Sequence, residues 1–282
     1  MCNMVFVVLH YETLDDTKKC VDSLVKYLSH PGVQVVVVDN GSVKGKLDAI
    51  AQEYAGQDKI HFLRSEENLG FANGNNLGFR YAKSKLNADM IILANNDLVF
   101  EQEDFVEVLT RRCEETGFDV AGPKIISLAD GKNQNPVAVQ YHGIKDVNKR
   151  IFKDSVLSFL CNFDLDKQVQ RIFAKEVQEV HYEPGMDFQI HGACMFFANR
   201  FIQRYDGLFD KTFMYGEENI LKYMVVRDGM NMEYLDDVTV YHKEGSSTGA
   251  IYGKGKSKRK FFYKWNLDGC RQLKKLMQKD LR

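Results

Sequence analysis

The sequence predicts an α/β protein built on an open, mostly parallel twisted sheet between helix layers. Three observations carry that prediction. Short runs in the first hundred residues are apolar at consecutive positions, so both of their faces must be covered. Stretches of helical period separate them, as crossovers between parallel strands require. Each run also stops at polar residues, and in open sheets ligands bind beyond the carboxyl ends of the strands.

Taken in order, Met4 to Leu9 reads M-V-F-V-V-L and forms the first strand. It is too short for a secretory core or a membrane span, and no basic segment precedes it. Leu14 to Ser29 fits a crossover helix, and Val33 to Val38, with its uninterrupted V-V-V-V, a buried central strand. Lys46 to Tyr54 is the next helix and Ile60 to Leu63 the third strand. A loop S-E-E-N-L-G-F-A-N-G-N-N runs from Ser65 to Asn76 into a helix over Asn73 to Lys85, and Met90 to Ala94 is the fourth strand. Gly70, Gly74 and Gly78 recur every fourth residue. With Asn73, Asn75, Asn76 and Arg80 among them they read not as a membrane helix pair but as a flexible loop whose last glycine permits close packing.

With 282 residues, 44% hydrophobic, and a net charge of −1, the chain can bury one large core or two small ones, and the composition is that of a soluble protein. That balance argues against a nucleic-acid binder. Six cysteines (Cys2, Cys20, Cys113, Cys161, Cys194 and Cys270) show no C-x-x-C spacing, so neither zinc nor a disulfide framework is expected, and reduced thiols point to the cytoplasm.

The strand ends carry His10, Tyr11 and Glu12, then Asp39 to Ser42, then the long loop, then Asn95, Asn96 and Asp97. D-N-G-S is also ordinary turn chemistry. The phosphate and dinucleotide loops G-x-x-x-x-G-K-[ST] and G-x-G-x-x-G are absent; L-H-Y-E follows the first strand.

Six segments in order carry a resemblance: V-V-V-V-D-N-G-S, N-L-G-F-A-N-G-N-N-L-G, I-L-A-N-N-D, G-A-C-M-F-F, Y-D-G-L-F-D-K-T-F-M-Y-G-E-E and V-Y-H. Together they resemble the family 2 glycosyltransferases, especially the rhamnosyltransferase-like branch, over the chain to about His242. The resemblance implies a GT-A fold, a nucleoside diphosphate sugar of dTDP or UDP type, Mg2+ or Mn2+, and inversion at the anomeric carbon. It implies a catalytic domain over 1–245, with a nucleotide-binding half 1–98 and an acceptor half 99–245 carrying an insertion at about 130–184. The acceptor it implies is a glycan or lipid-linked glycan hydroxyl in surface polysaccharide assembly.

By resemblance, Asn95, Asn96 and Asp97 stand where the family has its acidic triplet. Asp97 then binds the metal and Asn96 hydrogen-bonds the nucleotide. Asp39 accepts from the base, Tyr11 stacks on it, and the loop from Asn68 to Asn76 closes over the nucleotide. His242 becomes a second metal ligand or diphosphate contact. His191, Gly192 and Ala193 make room for the sugars. Glu218 occupies the position of the base that the acceptor hydroxyl needs, with Glu217 before it. This sequence has Glu rather than the family's Asp there, and Ile220 where a further acid is usual. Two glutamates at a helix start also complement the helix dipole. Two other readings remain: a sugar-phosphate nucleotidyltransferase, which wants a glycine-rich basic loop after the first strand, and a non-catalytic nucleotide- or glycan-binding subunit.

Between about Asp130 and Pro184 the resemblance fades, and Ser155 to Asp166 reads as an amphipathic helix. The 246–282 extension holds Lys254, Lys256, Lys258, Arg259, Lys260 and Lys264 beside Phe261, Phe262, Tyr263 and Trp265. That strip suits docking on an anionic membrane surface, on the inner face of the plasma membrane.

Overall fold

A computed structural model describes residues 2–43, 46–173, 182–183, 185–243 and 255–281. The chain alternates β1 (Met4–His10), α1 (Leu14–Val25), β2 (Val33–Asn40), α2 (Lys46–Glu53), β3 (Ile60–Ser65), α3 (Gly70–Lys85) and β4 (Met90–Asn95). These follow the predicted series, with strands one or two residues longer at their polar ends. Beyond them come β5 (Leu98–Val99), α4 (Phe105–Thr116), β6 (Val120–Ser127), β7 (Val137–Ala138), α5 (Ile144–Cys161) and α6 (Asp166–Phe173). The described chain ends with β8 (Phe188–Gln189), β9 (Cys194–Ala198), α7 (Asn199–Arg204), α8 (Glu217–Arg227), β10 (Met232–His242) and α9 (Lys256–Asp280).

Eight strands form one sheet in the order β3-β2-β1-β4-β9-β6-β10-β5, with β9 antiparallel to β4 and β6, and β5 antiparallel to β10. The rest pair in parallel, so the sheet is mostly parallel as its apolar runs require. β1 sits between β2 and β4, where successive connections turn to opposite sides; such a switch point opens a crevice at the carboxyl ends of the strands. One face is sealed by an aromatic cluster in which Phe6 meets Phe100 edge-on at 5.5 Å and Tyr27 stacks near Phe105. The other is sealed by α3 and α7 through Phe79, Phe197 and Phe201. All six cysteines are free thiols.

Three expectations change. The loop from Ser65 to Asn76 is shorter than predicted, because the helix begins at Gly70. There φ is 81° and a Cβ would run into the Phe213 carbonyl, which accepts from the Phe71 N–H at 2.7 Å. Gly74 and Gly78 are packing glycines too, with the space of a Cβ taken by Leu9 and Asn40 and by Val7 and Val38.

The helix predicted over Ser155 to Asp166 starts earlier, at Ile144, and stops at Cys161. Asp164 adopts a left-handed φ of 58°, and the fully buried Asp166 opens α6 bound to Arg259 and Tyr263.

The basic and aromatic strip is largely turned inward. Trp265 stacks on Phe213 at 4.5 Å, Phe262 meets Tyr215 at 5.1 Å, and Tyr263 is buried. Lys256 and Arg259 pair with Asp164 and Asp166. The strip's aromatic rings therefore pack against the protein, leaving Lys258, Lys260 and Lys264 exposed on α9. Lys254 and the 245/246 boundary lie outside the described residues.

Candidate active site

The pocket opens at the switch point. Leu9 and Tyr11 line it from the end of β1, Asn40 from β2, and Asn95, Asn96 and Asp97 from β4. Its other wall is made by His191, Gly192 and Ala193, by Met214 to Glu218, and by His242. A backbone bond joins the walls: the Asn95 N–H donates to the Ala193 carbonyl at 2.9 Å. Tyr11, Asn68, Asn96, Asp97, His191 to Ala193, Glu217, Glu218 and His242 thus converge as the sequence indicates.

Asn76 and Asp39 do not line the pocket. Asn76 sits inside α3, where its amide clamps Leu208 by accepting from the N–H at 2.7 Å and donating to the carbonyl at 2.8 Å. That consumes the groups a nucleotide would need, so its predicted nucleotide role is withdrawn. The Asp39 side chain is fully buried; its Oδ1 accepts from Ser42 N at 2.8 Å, the turn chemistry of D-N-G-S. Its Oδ2 lies 3.5 Å from Arg64 Nε and accepts no hydrogen bond.

Asn40 was missed. It accepts from Leu69 N at 3.0 Å and donates to Asn68 Oδ1 and the Gly70 carbonyl, tying the rim over β3 and α3 to the end of β2. Its only sequence signal was its place in D-N-G-S. Asn96 spends its amide nitrogen on the hydroxyls of Thr13 and Thr17, each at 2.7 Å, which fixes the turn that presents Asp97.

Asp97 and His242 face each other at 7% and 6% exposure, with Oδ1 3.2 Å from Nε2. Oδ1 lies off the line of a ring N–H and accepts no hydrogen bond. On the far side of the ring, Nδ1 is 2.8 Å from Gln134 Oε1, an acceptor that calls for Nδ1–H, and in the neutral ring this tautomer turns the Nε2 lone pair toward Asp97. A carboxylate oxygen and an imidazole lone pair aimed at shared space form a two-ligand cation site. Among the described residues no cluster of three such side chains exists. A cation here would take its remaining ligands from a bound diphosphate and water.

Glu217 and Glu218 open α8 from a turn in which Tyr215 and Gly216 have φ of 69° and 94°. Glycine at Gly216 and Gly269 lets α9 press against this turn, since a Cβ on Gly269 would overlap the Tyr215 carbonyl. Burial pushes the Glu217 carboxyl up to about 8, with the Glu218 charge adding to it and Thr212 opposing it. Its Oε1 is buried with no hydrogen-bond partner. Burial also raises Glu218, opposed by backbone N–H groups, that of Gly192 included. Glu218 is more exposed than Glu217 and rests on Gly192, where a Cβ would collide with Oε1. The pair therefore offers a protonated acid in Glu217 at neutral pH and a more accessible base in Glu218.

The sequence model of glycosyl transferase family 2 matches residues 5–185, more than half of the chain. The chain belongs to glycosyl transferase family 2. The low-salt glycan biosynthesis hexosyltransferase Agl10 of Haloferax volcanii is 25% identical over 239 residues, covering 84% of this chain and 66% of its own. Among solved structures, S. aureus TarS in complex with UDP-GlcNAc superposes with a TM-score of 0.57 at 13% identity, over 89% of this chain and 62% of that one. GalNAc-T7 with UDP, GalNAc and Mn2+ superposes with a TM-score of 0.59 at 15% identity, over 93% of this chain and 47% of that one. The family member thus has the GT-A fold, and it spans less than two thirds of the solved neighbours' length and 66% of the hexosyltransferase's. Among the described residues no helix is long and apolar enough to cross a membrane.

Proposed function

We propose that the protein is an inverting glycosyltransferase that moves a sugar from a nucleoside diphosphate to the hydroxyl of a glycan or lipid-linked glycan. The observation that carries this reading is the presence, in the lining of one pocket, of both the Asp97–His242 pair and the Glu217–Glu218 pair. The relative's hexosyltransferase name and the nucleotide-bound fold neighbours agree with it.

In this reading the nucleotide lies over the ends of β1 and β2. Tyr11 stacks on the base, Asn68 holds the rim, and Asp39 Oδ2 accepts an imide N–H of uracil or thymine once the Arg64 side chain swings aside. The imide suits UDP or dTDP donors, with dTDP-rhamnose the member suggested by the rhamnosyltransferase-like motifs. Asp97 and His242 would hold Mg2+ or Mn2+, which neutralises charge on the departing diphosphate.

The acceptor hydroxyl stands against Glu218. Its oxygen forms the bond to the anomeric carbon as the bond to the diphosphate oxygen breaks, the electron pair leaves with the diphosphate, and the proton passes to Glu218. One displacement inverts the configuration. Glu217, holding its proton, keeps a second negative charge out of the pocket, and His191, Gly192 and Ala193 let the sugars approach the backbone.

Calorimetric titration of UDP, dTDP and GDP, with and without manganese, into the wild type and Asp97→Ala tests the reading. Tight manganese-dependent binding of UDP or dTDP, lost in the variant, is expected. Absence of binding under every condition overturns it and favours a non-catalytic subunit.

A further inference from the structure

The helix α5 is built inside out. Its buried face carries Val147, Leu157 and Cys161 together with Asp154, whose carboxylate accepts from Arg150 at 2.6 Å. Its outer face carries Phe152 at 74% exposure, Val156 at 40% and Phe159 at 63%, and the turn beyond adds Phe163 at 63% and Leu165 at 43%. Phe159 and Phe163 meet edge-on at 5.6 Å. Five of the nine exposed large apolar side chains among the described residues fall in these fourteen positions. The spacing 152, 156, 159 is one helical stripe, pointing directly away from the core. Exposed aromatic area concentrated this way marks an interaction surface.

Charge selects the partner. Lys145, Lys149 and Lys153 recur every fourth residue along the flank of the stripe, and all three are exposed. The acids of the same segment are turned in or paired: Asp154 and Asp166 are buried on Arg150 and Arg259, Asp146 lies 3.5 Å from Lys149, and Asp164 holds Lys256 and Arg259. A second copy seated face to face would bring two lysine ladders together, while the acids of the segment already pair with cations of their own chain. An anionic lipid surface takes both features, aromatic rings in the interface and ammonium groups at the headgroups.

We propose that the outer face of α5, with the turn 162–165, docks on an anionic phospholipid bilayer. This differs from the strip at the start of α9, whose rings pack against the protein. The inner side of α5 meets Tyr263 through Leu157 and Cys161; the adjacent Phe262 meets Tyr215 at 5.1 Å, and Tyr215 lines the pocket. The proposed membrane face is therefore separated from the Tyr215 wall of the pocket by two helices, α5 and α9. The lipid contact itself does not depend on the proposed transfer chemistry.

Co-flotation with phosphatidylcholine vesicles, with and without phosphatidylglycerol, tests it on the full chain without nucleotide or acceptor. The wild type is expected to float with the anionic vesicles only. Phe152→Ser with Phe159→Ser should cut capture about tenfold or more, and Lys149→Glu with Lys153→Glu should abolish the preference for anionic lipid. All four positions are exposed, so an unchanged melting curve checks the fold. Phe159→Trp adds a readout that needs no loss of binding: its emission should shift to the blue and be quenched by brominated lipid. Wild type that stays down with anionic vesicles, or a serine variant that floats as well as wild type, overturns the proposal. So does a wild-type dimer in light scattering that the serine variant turns into a monomer, which would assign the face to a second copy.

Discussion

At His242 the orientation of one ring bears on what the pocket can bind. Gln134 Oε1 lies 2.8 Å from Nδ1 and accepts its proton, and in the neutral ring that tautomer turns the lone pair of Nε2 toward Asp97. Gln134→Leu should weaken manganese-dependent nucleotide binding roughly tenfold while metal-free binding stays unchanged, because second partners of ligating histidines act on metal affinity. Calorimetry with and without manganese separates the two. In the proposed reaction the glutamates have different roles, which conservative variants separate. Glu218→Gln should lower kcat about a thousandfold with donor KM little changed, the size of a general-base loss. Glu217→Gln, which copies the protonated form, should keep kcat within about tenfold of wild type at neutral pH. Since burial raises Glu218, the acid limb of kcat/KM should lie above the ordinary 4.5. Glu217 also links pH to stability. Its folded value, about 8, exceeds the unfolded 4.5, so the native state binds the extra proton. The resulting stability is complete below about 4.5, declines as pH rises, and is gone above about 8. Urea midpoints of wild type should fall across that window relative to those of Glu217→Gln.

At the scale of elements, the glycines show which contacts position those side chains. Gly269 of α9 lies against the Tyr215 carbonyl, and the turn it supports launches both glutamates. Gly269→Ala should cost about 1–3 kcal/mol by overpacking. It should also lower kcat by more than it raises donor KM, because the proposed nucleotide contacts belong to the ends of β1, β2 and β4. Chemical denaturation and steady-state kinetics check the two effects. The strands were legible because V-V-V-V and M-I-I-L are apolar without alternation, a pattern that only a doubly covered sheet accommodates. The start of α3 was not, since N-L-G-F-A-N-G reads as loop by propensity; its glycines answer to Val7, Leu9, Val38 and Phe213, which are distant in sequence. Likewise Asp39 in D-N-G-S carries both a turn-capping and a base-reading signal, and only burial shows that the turn already holds one oxygen. For α5 the apolar positions were visible but not which of them face out, because the buried face is partly polar through Asp154.

Across the whole molecule, β9 joins the β3-β2-β1-β4 part of the sheet to the β6-β10-β5 part by pairing with both β4 and β6, so the pocket walls share one sheet. The halves nonetheless contribute different parts of the proposed reaction: donor contacts from the strand ends of the first, the base from a helix propped by α9. A break far from the pocket should reveal that division. Asp166, fully buried at the start of α6, holds Arg259 Nε at 2.7 Å and the Tyr263 hydroxyl at 3.1 Å, and this pins the first turns of α9 to the α5–α6 corner. Asp166→Ala leaves a largely buried guanidinium with the more exposed Asp164 as its remaining carboxylate and the Tyr263 hydroxyl without its acceptor, which should cost about 1–3 kcal/mol. Asp166→Ala with Arg259→Met removes the under-compensated charge and should recover part of the loss. Below its melting temperature the single variant should bind nucleotide as wild type does, yet turn over more slowly, because α9 no longer presses Gly269 against the glutamate turn. Equal loss of nucleotide affinity and kcat would mean that α9 supports the sheet as a whole rather than the base, and would withdraw the assignment of the two jobs to the two halves.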